Sequence, residues 1–155
     1  MRSISFPTLA IFVFGVVVAC GKDGQAREPA APVPMAQPDA GKQYTVVVAP
    51  VQLKVGATAT ASLTIKPNKG LHFNEEFPAK FTVEATAFAK CPKDKLTAKT
   101  GEVKVAGGQG TVAIPLTGVA AGAGNIKVTG NFSVCSDEQC YMLRGEILTV
   151  PVTVQ

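Results

Sequence analysis

The residues best suited to chemistry are Cys135 and Cys140, which enclose Ser136-Asp137-Glu138-Gln139. Four polar residues suit a β-hairpin loop, and residues flanking such a loop face each other across two strands, within reach of a disulfide. The spacing admits three uses. The pair can exchange electrons, a reaction in which a thiolate attacks a disulfide sulfur and the rate follows thiolate fraction and access. It can instead be a static staple across the hairpin. Third, Cys135, Cys140, Met142 and His72 include soft ligands that suit Cu(I). Asp137 and Glu138 disfavour a thiolate between them, and Lys127 or Arg144 would offset that effect if close. Cys91, in Ala89-Lys90-Cys91-Pro92, is the odd thiol. It can pair with Cys135 or Cys140, or with another molecule; the expectation is a buried, inert thiol at a strand end.

Other chemistries find little material. The chain has one histidine, so no site can draw two imidazoles from it, and a blue-copper ligand set is excluded. No Gly-x-Ser-x-Gly occurs, and Gly107-Gly108-Gln109-Gly110 lacks the Lys-Ser/Thr ending of a phosphate loop. Glu75-Glu76 reads as a solvated acidic loop, and His72 as a surface residue at a strand end. A net charge of +4 with no Lys/Arg run gives no nucleic-acid footprint. No cofactor and no metal ligand set is assigned.

The elements that must position the cysteines follow a period of two. Val51, Leu53 and Val55 alternate with polar residues, as do Ala61, Leu63 and Ile65, and Phe81, Val83 and Ala85. The alternation recurs at Val103/Val105, Val112/Ile114/Leu116, Ile126/Val128/Phe132/Val134 and Leu148/Val150/Val152/Val154. Turn signals separate the runs at Pro67-Asn68-Lys69-Gly70, Ala106 to Gly110 and Gly118 to Gly124. No window carries a helical period. Seven to eight short strands over residues 43–155 predict an all-β fold, an immunoglobulin-like antiparallel β-sandwich. Pro115 and Pro151 are expected on edge strands or at bulges, because neither can donate to a central ladder. On this parity Cys135 sides with Lys127, Thr129, Asn131 and Ser133, which places it on the solvent face.

The N-terminus has a different character. Met1-Arg2-Ser3 is a basic start, and Ile4 to Ala19 is an apolar run of about 16 residues, short of the roughly 20 a bilayer span needs. Small residues then precede Cys20-Gly21, so 1–19 reads as a signal peptide. Val17-Val18-Ala19-Cys20 resembles a bacterial lipobox, which implies cleavage before Cys20 and a lipid on its sulfur. Residues 20–42 are rich in Gly, Pro and Ala without apolar period and are expected to form a flexible tether. The reading is an exported lipoprotein, held by Cys20 in a membrane facing the periplasm, the outer membrane rather than the inner because Gly follows Cys20.

Gly130-Asn131-Phe132-Ser133-Val134-Cys135, the short acidic loop, Cys140-Tyr141 and a final strand of alternating Val resemble the periplasmic N-terminal domain of the DsbD family of thiol:disulfide interchange proteins. Gly70-Leu71-His72-Phe73-Asn74 followed by Phe77-Pro78 is similar to that family's loop after an early strand. The sequence departs from the pattern in its C-x4-C spacing, one residue short, and in Met142-Leu143 where prolines usually follow Cys-Tyr. The family's transmembrane and thioredoxin-like parts are not in this chain. The resemblance implies an immunoglobulin-like sandwich whose Cys140 forms a mixed disulfide with a thioredoxin-like partner and whose Cys135 resolves it. The competing expectation is a non-catalytic binding or structural lipoprotein in which the Cys135–Cys140 bond is only a staple. Cu(I) handling is the third.

Overall fold

The computed structural model describes residues 35–37 and 43–155. The expected signal peptide 1–19 and Cys20 lie outside the described residues, as does the expected tether 20–42 apart from its three-residue segment 35–37.

The alternation seen in the sequence becomes strands because each run has one face to bury. In β2 (Tyr44–Val48), Tyr44, Val46 and Val48 are buried and Thr45 and Val47 are half-exposed. The same two-residue rhythm runs through β4 (Thr58–Pro67) and β10 (Gln109–Gly118), where Ala61, Leu63 and Ile65 face inward beside Val112, Ile114 and Leu116. Two long strands form the other half of the core, β11 (Gly122–Cys135) and β12 (Cys140–Val154). With β6 (Lys80–Val83) and β9 (Val103–Ala106), these are the seven strands of four residues or more. Five shorter pieces complete the set: β1 (Met35–Gln37), β3 (Val51–Leu53), β5 (His72–Phe73), β7 (Ala89–Lys90) and β8 (Lys95–Thr97).

They form two sheets around one apolar core, a β-sandwich. One sheet runs β1-β2-β4-β10, with β7 and β9 both on the far side of β10. The other runs β3-β12-β11-β6-β8, with β5 also paired to β11. The expected fold class holds, with three differences of detail. Met35–Gln37, placed in the tether by composition, pairs antiparallel with β2, Ala36 opposite Val47. Four strand pieces, β1, β5, β7 and β8, are too short to show a period, so the described strands number more than the seven or eight expected. The pairing is also not wholly antiparallel, since β3 runs parallel to β12, Val51 beside Val152. Pro50, in the break between β2 and β3, has no N–H to continue the first ladder. The chain changes sheets there and meets the C-terminal strand in the same direction.

The prolines follow the expected rule. Pro115 faces Thr60 of β4 on one side; on its other side it falls between the pairings of β9, which end at Val112, and of β7, which begin at Thr117. Pro151 faces Asn125 and lies just before the β3 pairing begins at Val152. In both cases the missing donor points to a gap in the ladder.

Candidate functional site

The site is built at one end of the second sheet, where β11 turns into β12. Cys135 and Cys140 are direct partners in the register, with Cα atoms 4.0 Å apart, and are joined in a disulfide. The turn between them closes because the Ser136 amide donates to the Gln139 carbonyl at 2.8 Å. Ser136 Oγ also accepts from the amides of Glu138 and Gln139, at 3.3 and 3.2 Å. A serine at the first position of a turn does this because its short side chain reaches the donors two and three residues on. Gln139 Nε2 donates to Tyr141 Oη across the loop. Thus the disulfide expected from the loop length is present. Among the described residues Cys91 is the free thiol, so the pairings with Cys91 are excluded in this structure.

The two sulfurs are not equivalent. Cys140 is exposed, whereas Cys135 is 4% exposed. The expectation that Cys135 lies on the solvent face is therefore corrected. Its parity was right, since Val134 and Phe132 are the residues that face the core. The opposite face is covered at this end of the strand. There β5 pairs with β11, placing His72 opposite Cys135 and Phe73 opposite Val134. The next residue, Asn74, continues the contact: its amide donates to the Ser133 carbonyl at 3.0 Å and its Nδ2 to Ser133 Oγ at 3.2 Å. Ser133, 1% exposed, in turn lies 3.6 Å from Cys135 Sγ through its hydroxyl. Asn74 Oδ1 accepts the Glu76 amide at 3.0 Å, which turns the chain back after β5.

An aromatic cluster holds this cover in place. The Phe73 ring stacks on Phe132 at 5.7 Å between centroids, Phe132 stacks on Phe81 at 5.8 Å, and Tyr44 meets Phe132 edge-on at 5.0 Å. On its other side Phe73 rests against Gly110, where an added Cβ would sit 2.5 Å from two ring carbons. Behind β5 the β9–β10 turn contributes the Gly108 carbonyl, which accepts the Phe73 amide at 2.8 Å. Gly108 has φ of +73°, a left-handed conformation that glycine adopts without cost.

Between the β5 segment and the hairpin tip lies a cleft of about 670 Å³, and the disulfide forms part of its lining. Its other walls include His72, Asn74, Glu75, Glu76 and Ser136. Glu75 and Glu76, read from sequence as a solvated loop, are exposed but belong to the site. What the sequence did not show is that residues about 60 positions before the cysteines form the other wall. The signal available was the resemblance of Gly70 to Asn74; periodicity gave none, because β5 has only two residues. The carboxylates lining the cleft are Glu75 and Glu76, and no Lys or Arg lines it among the described residues; Asp137 and Glu138 are exposed on the hairpin loop. Lys127 pairs with Glu84 at 2.7 Å, away from the cysteines, and so does not serve them.

Arranged in this way, the pair presents one sulfur to an incoming nucleophile and keeps the other as a leaving group inside the fold. No group of three or more His, Cys, Asp or Glu among the described residues is placed to hold a metal ion. Cys91, directly after β7, is half-buried and packs against the core, and burial pushes its thiol up from the ordinary value.

No known family profile and no curated protein matches the chain. Among solved structures, the chain is similar to S-layer protein SbsC domains 4 and 5, with a TM-score of 0.37 and 17% identity. That alignment covers 79% of this chain, which spans 53% of the length of the other. A superposition this loose carries no argument about function.

Proposed function

We propose that the domain exchanges disulfides with thioredoxin-like partners through Cys135 and Cys140, with Cys140 as the residue attacked. The observation that carries this reading is the asymmetry of the pair: an exposed Cys140 bonded to a buried Cys135 beside an open cleft. In the direction that reduces this protein, a partner thiolate attacks Cys140 Sγ and the Cys135–Cys140 bond breaks. Cys135 leaves as a thiolate and takes up a proton. The partner's second thiol then attacks its own sulfur in the mixed disulfide and releases Cys140. Two electrons and two protons have passed to the domain. In reverse, Cys140 attacks a partner disulfide and Cys135 resolves the mixed species. No Lys or Arg lines the cleft among the described residues, so the chemistry is proposed to depend on a partner whose own cysteine is more activated. The similarity of the cysteine segment to the DsbD N-terminal domain supports the same roles.

The proposed setting is the periplasm, with the domain tethered to a membrane by a lipid on Cys20; the lipobox-like run ending at Cys20 supports this. A static staple is the competing reading, and the burial of Cys135 favours it, since structural cysteines sit inward.

Equilibration of the Cys135–Cys140 couple against glutathione buffers, read by mass spectrometry of alkylated peptides, separates the two. Exchange predicts a potential of about −180 to −270 mV, where thioredoxin-like proteins operate. A value below about −300 mV overturns exchange and leaves the staple.

A further inference from the structure

A second constellation lies on the outer face of the β11–β12 sheet, where the ladder is irregular. Gly130 pairs with Glu146 and Phe132 with Leu143, so Asn131 alone stands against both Arg144 and Gly145. Gly145 takes a φ of +70°, and its amide donates to Asn131 Oδ1 at 2.9 Å. On the other side of β11, Asn131 is the register partner of Lys80 in β6. Phe81 and Phe132 are buried and Leu143 packs against the core, so their neighbours Lys80, Asn131 and Arg144 take the outward face. These three side chains line one cavity of about 330 Å³, together with Phe77 and Pro78. The apolar wall is held in place by a tight turn about Pro78. There the Ala79 amide donates to the Phe77 carbonyl at 2.7 Å, and Ala79 itself is buried.

Donors and acceptors in this cavity do not balance. Asn131 Oδ1 is taken by the Gly145 N–H, which leaves Nδ2 as the other end of the amide, without a hydrogen bond among the described residues. Lys80 and Arg144 are exposed and form no ion pair among the described residues. Phe77 and Pro78 add no polar side-chain atom. Two cations and an amide donor thus share one concavity in which no side chain offers a free acceptor. The geometry points to a binding site for a small organic carboxylate whose apolar stem lies against Phe77 and Pro78. The planar guanidinium of Arg144 can give two parallel N–H bonds to the carboxylate oxygens, and Lys80 and Asn131 Nδ2 serve the remaining lone pairs. The apolar wall rewards a ligand with a hydrocarbon body, which an inorganic anion lacks. The volume, at the lower end for ligand sites, suits one ring or a short chain. This cavity shares no lining residue with the disulfide cleft, and the inference does not draw on the exchange reading.

Titration of the whole protein with 3-phenylpropionate, followed by NMR at the Asn131 side-chain amide and the Gly145 backbone amide, tests the site. Saturable shifts with half-saturation below about 5 mM are expected; shifts that do not saturate in that range overturn the inference. Three further probes separate the contributions without altering the protein. 3-Phenylpropanol keeps the stem without the charge, acetate keeps the charge without the stem, and inorganic phosphate is an anion alone. Each is expected to bind at least about tenfold more weakly than the acid. A smaller difference for the alcohol overturns the role of the cations, and a smaller difference for acetate or phosphate overturns that of the apolar wall. Arg144→Gln and Lys80→Gln, both at exposed positions, should each weaken 3-phenylpropionate by about tenfold. Lys104→Gln removes the same charge from β9 in the other sheet and should leave the affinity unchanged. Equal weakening by all three substitutions would reduce the effect to net charge, and no weakening by any of them would move the ligand elsewhere; both results refute the site.

Discussion

Gly110→Ala probes the packing that covers Cys135. Gly110 lies in β10 between Ile65 of β4 and Val105 of β9, and its backbone is not in the left-handed region, so alanine meets no conformational obstacle. On entropy alone the change would stabilise by up to about 1 kcal/mol. The structure predicts the opposite sign. The new Cβ would meet two Phe73 ring carbons at 2.5 Å and a third at 2.9 Å, well inside contact distance. The ring has little room to retreat, because Phe132 is stacked behind it and is itself fixed by Phe81 and Tyr44. Overpacking of this kind costs about 1–3 kcal/mol. At about 4 °C per kcal/mol for a domain of this size, Tm should fall by roughly 4–12 °C. Because Phe73 carries His72 and Asn74 with it, the cover over Cys135 should shift outward, and dithiothreitol should reduce the bond faster. Thermal denaturation followed by circular dichroism and a stopped reduction assay read the two effects. Adding Phe73→Leu should relieve the clash, giving a coupling of about 0.5–3 kcal/mol in the double-mutant cycle. An unchanged Tm in Gly110→Ala, or strictly additive single changes, would refute the reasoning.

Three further outcomes can be checked. Asn74→Ala removes the Nδ2 donor from buried Ser133 Oγ, so it should cost about 1–3 kcal/mol in urea unfolding; a change under about 0.3 kcal/mol would remove this contact from the account of the site. Lys93, whose Nζ is 2.5 Å from Glu102 Oε1, holds the Glu102 carboxyl down from 4.5 to about 2. A depressed carboxyl contributes stability above its unfolded value and loses it as the pH falls towards 2, so Lys93→Met should flatten the acid limb of the stability curve between those two pH values, and an unchanged limb would refute the pairing. Glu75 and Glu76 in the cleft wall, with Asp137 and Glu138 exposed on the loop between the cysteines, predict that cationic cysteamine reduces the disulfide faster than anionic glutathione at low salt. The gap should close near 1 M salt, where the screening length falls to about 3 Å, and a salt-independent ratio would refute the electrostatic argument.

The parts of the fold legible in the sequence were those with a repeated physical constraint. Ala61-x-Leu63-x-Ile65 and Val112-x-Ile114-x-Leu116 lie on the same face of the sheet, with Leu63 opposite Val112 and Ala61 opposite Ile114 across β4 and β10, and all are buried. A strand with one buried face must alternate, so its pattern is written out residue by residue. The Cys135–Cys140 hairpin was legible for a related reason, because a four-residue polar loop fixes which residues are opposed. The cover over Cys135 was not. Parity says which face a side chain points to, and says nothing of what lies on that face. His72 and Phe73 reach Cys135 and Val134 through tertiary pairing between segments far apart in sequence, and two residues give no period to detect. The parallel pairing of β3 was hidden similarly, since a three-residue strand reads the same in either direction.

The small ring closed by the disulfide has a thermodynamic consequence of its own. The bond links residues only five positions apart, and those residues are already brought together by the turn and the ladder. Restricting so short a loop in the unfolded chain is worth only about 2 kcal/mol in the chain-entropy account. The large apolar core, and the long β11–β12 ladder that continues from Val134 to Gly122, do not pass through that bond. Opening the bond therefore enlarges the conformational freedom of six residues and leaves the remaining cooperative unit intact. On the scale of about 4 °C per kcal/mol, reducing the bond is expected to lower Tm by roughly 8 °C while the core and the rest of the ladder stay folded, so loss of the disulfide alone is not expected to unfold the domain.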